Sequence, residues 1–186
     1  LVDARASVDS TGLRVPELYA ELGHAPVRAS GSISWTGGTT QVTADVTGTD
    51  ALLVRTPDLR GRSDLDVSVR GTLPNLAVTG NLRLTDVLYT RPVQLVSFGS
   101  PRSVTEGVQL FSLRGAVAQG TTLDVAVQGT GAIRIENNLL QAPLSADVQV
   151  RGTAAVPEPE GRLFTDEGTV RLPLSTLQIE QAELRF

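Results

Sequence analysis

The chain contains no cysteine and no methionine. Disulfides, thiolate metal sites, iron–sulfur clusters and cysteine nucleophiles are therefore excluded. Its one histidine, His24, leaves room for a single imidazole base but not for a multi-histidine metal centre. Lysine is missing too: the 16 basic residues are all arginine, against 20 acidic residues, for a net charge of −4. Scattered arginines in a net acidic chain do not make the basic field that nucleic-acid binding needs. Aromatic residues reach only 4%. No apolar run approaches the roughly 18 residues of a membrane-spanning helix, and no signal peptide is recognisable. The chain starts at Leu1 rather than at a methionine, and it is expected to be a piece of a longer protein. What is present is a hydrophobic fraction of 40% over 186 residues, enough for one domain with a core.

The dominant pattern is strict alternation. Val2, Ala4, Ala6 and Val8 alternate with Asp3, Arg5, Ser7 and Asp9. The same period of two runs through Val27–Trp35, Val42–Val46, Leu65–Val69, Leu76–Leu84, Leu123–Val127, Ile133–Ile135, Leu144–Val150, Val170–Leu172, Leu177–Ile179 and Ala182–Phe186. A period of two places each set on one face of a strand, with Thr, Ser, Gln, Asp and Arg on the other. Turn signals separate the runs: Thr36-Gly37-Gly38-Thr39, Gly61-Arg62, Gly99-Ser100-Pro101, Gly120-Thr121, Glu136-Asn137-Asn138 and Asp166-Glu167-Gly168 all read as hairpin connections. Residues 16–22 carry helix punctuation, Pro16 at the first turn and Gly23 after the last residue, and predict one short helix, with a strand as the alternative.

The chain repeats itself. Asp66-Val-Ser-Val-Arg-Gly-Thr72 matches Asp147-Val-Gln-Val-Arg-Gly-Thr153, and the same offset aligns Gly80 with Gly161, Leu82 with Leu163 and Pro92 with Pro173. Partial copies are Asp124–Thr130 and Asp45–Thr49. Recurrence of one strand-turn unit is the signature of stacked architectures. Strands with one apolar face need cover, which a sandwich, a closed barrel or a sheet curled around its own apolar face would each supply. The apolar positions are mostly Val, Leu, Ile and Ala. Such a surface has little relief and suits acyl chains, which make no hydrogen bonds.

Leu123–Phe186 resembles the C-terminal (DUF490-type) region of the TamB family, the translocation and assembly module proteins of bacterial envelopes. The resemblance rests on Val148-Gln-Val150-Arg-Gly-Thr153, Pro157, Gly161-Arg-Leu163, Gly168 and the ending Leu177-Gln-Ile179-Glu-Gln-Ala-Glu-Leu184-Arg-Phe186. Asp66–Pro92 forms a second copy, the first 60 residues carry little of it, and Thr165-Asp166-Glu167 departs by being more acidic. The resemblance implies an all-β fold: an elongated, curled (U-shaped or β-taco), mostly antiparallel sheet with a hydrophobic concave groove. It implies kinship with AsmA-like and bridge-like lipid transfer proteins. It also implies an inner-membrane anchor in an N-terminal part, a periplasmic location bridging the two membranes, and a TamA- or BamA-type outer-membrane barrel as partner. Residues 1–186 are then one C-terminal segment of a longer groove, with repeat-like units near 66–92 and 147–173.

On this reading the protein conducts phospholipid toward the outer membrane and assists outer-membrane protein assembly. It is not an enzyme; no catalytic residue, cofactor or metal site is expected. The groove lining is assigned to Val67, Val69, Val78, Leu82, Leu84, Val125, Val127, Ile133, Ile135, Val148, Val150, Leu163, Val170, Leu172, Leu177, Ile179 and Leu184. A closed core built from the same residues is the competing reading. At the level of the whole protein the alternatives are an outer-membrane β-barrel, disfavoured by few aromatics and short alternating runs, and a structural β-repeat module of a surface protein. Asp64 with Asp66, and Glu158 with Glu160, could be catalytic carboxylate pairs but read as solvated surface. Asp166-Glu167-Gly168 lacks a calcium-loop ligand series. His24 reads as a loop residue, and Trp35 as core, with the plug of a sheet end or a membrane interface as alternatives.

Overall fold

A computed structural model of the chain describes residues 2–93 and 115–186. The described residues form one twelve-stranded sheet and a five-residue helix. Strands β1 (Val2–Asp9), β2 (Gly12–Leu22), β3 (Ala25–Thr36), β4 (Thr39–Arg55), β5 (Leu59–Thr72) and β6 (Asn75–Tyr89) run as an antiparallel meander. Helix α1 (Ala116–Gly120) leads into β7 (Thr122–Glu136), which pairs with β6 in parallel. Antiparallel order resumes with β8 (Leu140–Gly152), β9 (Pro157–Thr165), β10 (Gly168–Leu172), β11 (Ser175–Ile179) and β12 (Ala182–Arg185). On the edge of β8 away from β7, β9 covers Ser145–Gly152 and β10 covers Leu140 and Gln141. Thus β9 and β10 lie in line with a break between them, and β12 and β11 pair with them in turn.

Among the described residues the sheet curls but does not close. β1 pairs only with β2, β11 only with β10, and β12 only with β9. A sheet with free edges is not a barrel, so the barrel alternative falls on topology. The argument from short strands holds for β1, β10, β11 and β12, of 8, 5, 5 and 4 residues, but not for β4 to β8, which are 17, 14, 15, 15 and 13 residues long. Bulges hid their length. The alternation of β4, for instance, changes phase where its register with β5 shifts between Gly48 and Ala51. Such an extra residue moves the following side chains to the opposite parity.

The helix expected over residues 16–22 is a strand, β2. Two flanking strands, β1 and β3, offer ladder bonds on both sides, and that pairing overrides the local punctuation. Pro16 fits because both registers skip it: β1 shifts between Arg5 and Ser7, and β2 shifts against β3 between Val15 and Leu18. A proline at a bulge forfeits no ladder bond. Three of the expected hairpin turns are also corrected. Gly61-Arg62 lies inside β5 and pairs with Val54 and Leu52. Gly120-Thr121 joins α1 to β7, and Asp166-Glu167 separates two strands that do not pair with each other. Gly37-Gly38 and Asn137-Asn138 do connect hairpins, and Gly99-Ser100-Pro101 lies outside the described residues.

The sequence repeat is a repeat of register. Val67 pairs with Gly80, and Val148 pairs with Gly161. Both glycines have positive φ, 155° and 140°. A Cβ on Gly80 would run into the Asp66 carbonyl and lie 2.8 Å from the Val67 Cα; one on Gly161 would meet Asp147 and Val148 in the same way. The two copies differ at the outer edge. The Gly161 carbonyl accepts the Phe186 N–H at 3.0 Å, on the side away from β8. Residues of the same parity, Pro159 and Pro157, therefore also face that edge, where they have no N–H to offer. The equivalent edge of β6 carries Val78 and Leu76, and there β7 pairs.

Candidate functional site

Directly paired residues share a face of a sheet, so the registers locate every predicted lining residue. One row crosses eight strands: Ala20, Val27, Gly48, Leu65, Leu82, Val127, Val148 and Gly161. The next row holds Leu18, Ala29, Val46, Val67, Gly80, Val125, Val150 and Pro159. Val69 meets Val78, and Leu84 lies opposite Ser63 on the Val67 face of β5. Ile133 faces Val87 and Leu144, and Ile135 faces Tyr89 and Ala142. Leu163 sits between Ala146 and Leu184. Val170 sits between Leu140 and Leu177, Leu172 faces Ser175, and Ile179 faces Gly168. All seventeen residues thus project from one face.

That face is not a closed core. Fourteen of the seventeen are half-buried, and Leu172, Leu177 and Leu184 are exposed. The fully buried apolar residues among those described are few and mostly small: Ala25, Val27, Ala51, Leu65, Ala118, Ala142 and Ala146. One cluster, Val27, Ala51 and Leu65 with Val46 and Leu82 packed on it, gives the face a floor. The sequence assignment omitted Val27, Val46 and Leu65; the first two lie in the 60 residues that carry little of the family pattern. Their parity within their own alternating runs was the signal that places them beside Leu82. At about 4.8 Å per strand, the eight-strand row spans about 34 Å. That exceeds the roughly 15 Å that one leaflet of bilayer hydrocarbon occupies.

The other face is polar and cross-linked by arginines. Asp86 accepts from Arg60 at 2.7 Å and from Arg134 at 2.8 Å, tying β5, β6 and β7 together. The Arg134 hydrogen bond, then that of Arg60, holds the Asp86 carboxyl below the usual carboxylate range against the opposing effect of burial. Asp45 is lowered chiefly by the Ser68 hydroxyl, 2.5 Å away, with help from Arg70 at 3.1 Å. The Asp64 carboxylate accepts the Asp50 N–H at 2.9 Å and pairs with Arg83 at 3.5 Å, fastening the β4 bulge. Arg62 completes that fastening, donating to the Asp50 carbonyl and carboxylate, both at 2.8 Å, and to the Gly23 carbonyl at 3.0 Å.

The remaining candidates have structural roles as well. Glu160 pairs with Arg151 at 2.6 Å. His24 occupies the β2–β3 turn with φ 70°. Trp35 is not core: it is 42% exposed at the end of β3, and its indole N–H donates to the Ser10 carbonyl at 3.0 Å. It therefore covers the β1–β2 turn at a sheet end. Among the described residues no group of acidic and histidine side chains is placed to hold a metal ion. No described helix is long and apolar enough to cross a membrane.

The chemistry this arrangement offers is contact without direction: a long half-exposed aliphatic face, backed by a polar face on which many charges pair across neighbouring strands. A family model for the TamB C-terminal domain matches residues 18–186. No curated protein and no solved structure matches the chain.

Proposed function

The chain belongs to the TamB family, and from that premise we propose that its apolar face carries the acyl chains of phospholipids through the cell envelope. Proteins of this family are envelope-associated transport and assembly modules rather than enzymes. The observation that carries the finer reading is the half-exposure of a continuous aliphatic face on a sheet that stays open. Acyl chains lie along the paired rows while headgroups remain at the wet rim. Neighbouring rows are chemically alike, so a chain moves from one to the next with little change in contact. Each methylene kept from water contributes about 0.8 kcal/mol, so a few suffice for useful retention.

The periplasm is the proposed location, with lipid moving toward the outer membrane and outer-membrane protein assembly as the associated task. A TamA- or BamA-type barrel is the proposed partner. A structural β-repeat module would seal its apolar face, and the exposure of these valines and leucines speaks against that. The test is mass spectrometry of an organic extract of protein purified without detergent. Co-purified phospholipid is the expected result. Repeated lipid-free preparations that also fail to take up an acyl-chain probe would end this reading.

A further inference from the structure

One hairpin departs from the composition of the rest of the sheet. From Gly168 to Ile179, spanning β10 and β11, Arg171 is the only charged residue and there is no aromatic side chain. Asp166 and Glu167 stand immediately before the hairpin and Glu180 immediately after it. At its tip Leu174 is 99% exposed, and Leu172 and Leu177 are 40% and 52% exposed. A leucine held this far into solvent, beside a second exposed one, is unusual on a surface.

We propose that the β10–β11 tip inserts Leu172 and Leu174 into the hydrocarbon of a lipid surface. Three observations select lipid as the occupant. The tip offers aliphatic side chains without the aromatic anchors that dominate protein–protein contacts. Its one charge is an arginine, which suits headgroup phosphate; Arg171 is steadied at the flank by a 2.9 Å hydrogen bond from Nη2 to the Gln141 side chain. Asp166, Glu167 and Glu180 at the base resist entry into a low-dielectric layer and so limit the depth. The tip is also continuous with the lining: Val170 joins Leu140 of β8 to Leu177 of β11 on the apolar face. As a route for acyl chains between groove and bilayer, the tip rests on the function proposed above. As a membrane contact it stands on its own.

The experiment is co-sedimentation of the full 186-residue chain with vesicles of equal parts phosphatidylethanolamine and phosphatidylglycerol. Leu174→Asp is compared with Val156→Asp, which changes an equally apolar, 64% exposed residue in a different turn. Leu174→Asp is expected to weaken binding at least about 10-fold, the scale of burying one leucine, and Val156→Asp to leave it unchanged. In a Leu174→Trp variant the added indole is expected to be quenched by brominated acyl chains and to shift its emission to the blue, measured against the wild-type signal of Trp35. Equal loss in both Asp variants, or an added indole that brominated chains leave unquenched, would overturn the inference. So would a wild-type chain that ignores vesicles, or an association between copies that Leu174→Asp abolishes. Lipid still found in the organic extract in those cases would leave the groove reading standing, which separates the two failures.

Discussion

Val127→Arg separates an open face from a sealed core more sharply than any other change. Val127 lies in register between Leu82 and Val148, and all three are half-buried. In a sealed core an unpaired guanidinium would cost several kcal/mol and unfold much of the sheet. On an open face the arginine stem lies along its neighbours while its head reaches water. The expected cost is then about 1 kcal/mol, or a fall of about 2–4 °C in Tm for a chain of this size. Bound lipid fares worse. A guanidinium and its water displace about three methylenes from the row, which at about 0.8 kcal/mol each is about 2.4 kcal/mol, or roughly 50-fold in retention. Circular dichroism with thermal melting reads the first effect, and photocrosslinking to an acyl-chain probe reads the second. A melt lowered by more than about 10 °C with loss of β signal would refute the open face. An intact fold with undiminished crosslinking would refute passage of chains along this row.

Four further outcomes follow from particular contacts. Ser63 is fully buried and its hydroxyl has no partner among the described residues, so Ser63→Ala is expected to raise stability by about 1 kcal/mol in chemical denaturation. Gly161→Ala and Gly80→Ala should each destabilise by similar amounts, about 2 kcal/mol or more, because both glycines sit against the same backbone atoms at positive φ; unequal losses would dissolve the equivalence of the two copies. Asp86→Asn should lower Tm slightly at neutral pH; since the folded carboxyl titrates below its ordinary 3.8, its contribution is present above that value and fades as pH falls through the lowered one, so the wild-type and variant melts should converge in acid. Pro157→Leu with Pro159→Val, which copies Leu76 and Val78, should bare the β9 edge and produce concentration-dependent association in sedimentation velocity.

The period of two made most of the sheet legible, along with the common face of the seventeen residues assigned to the lining, because side chains alternate whatever a strand pairs with. What it could not supply was information about partners. Pro16 and Gly23 look like helix ends until β1 and β3 are known to flank them. Gly61 looks like a turn until Val54 is seen opposite. The parallel join of β6 to β7 leaves no local trace, since a parallel strand alternates like an antiparallel one. Openness was likewise invisible: the same valines would alternate in a sandwich, and only their half-exposure separates the two. The acidic Thr165-Asp166-Glu167, out of keeping with the family pattern, marks the break between β9 and β10. There Thr165, the last residue of β9 and still paired with Ala182, donates its hydroxyl to the Glu167 carbonyl at 2.7 Å.

The parallel join also sets an order of assembly. From β1 to β6 every strand zips onto its predecessor through a short turn, and each step closes a small loop at little entropic cost. Joining β7 to β6 instead is a parallel pairing, which no short turn can make. The two sides of the sheet can therefore gain structure separately, and their meeting is the slow event. Until it happens, β6 presents the bare, proline-free edge that β9 never does. The time the nascent chain spends open to wrong strand pairing is then governed by this one seam.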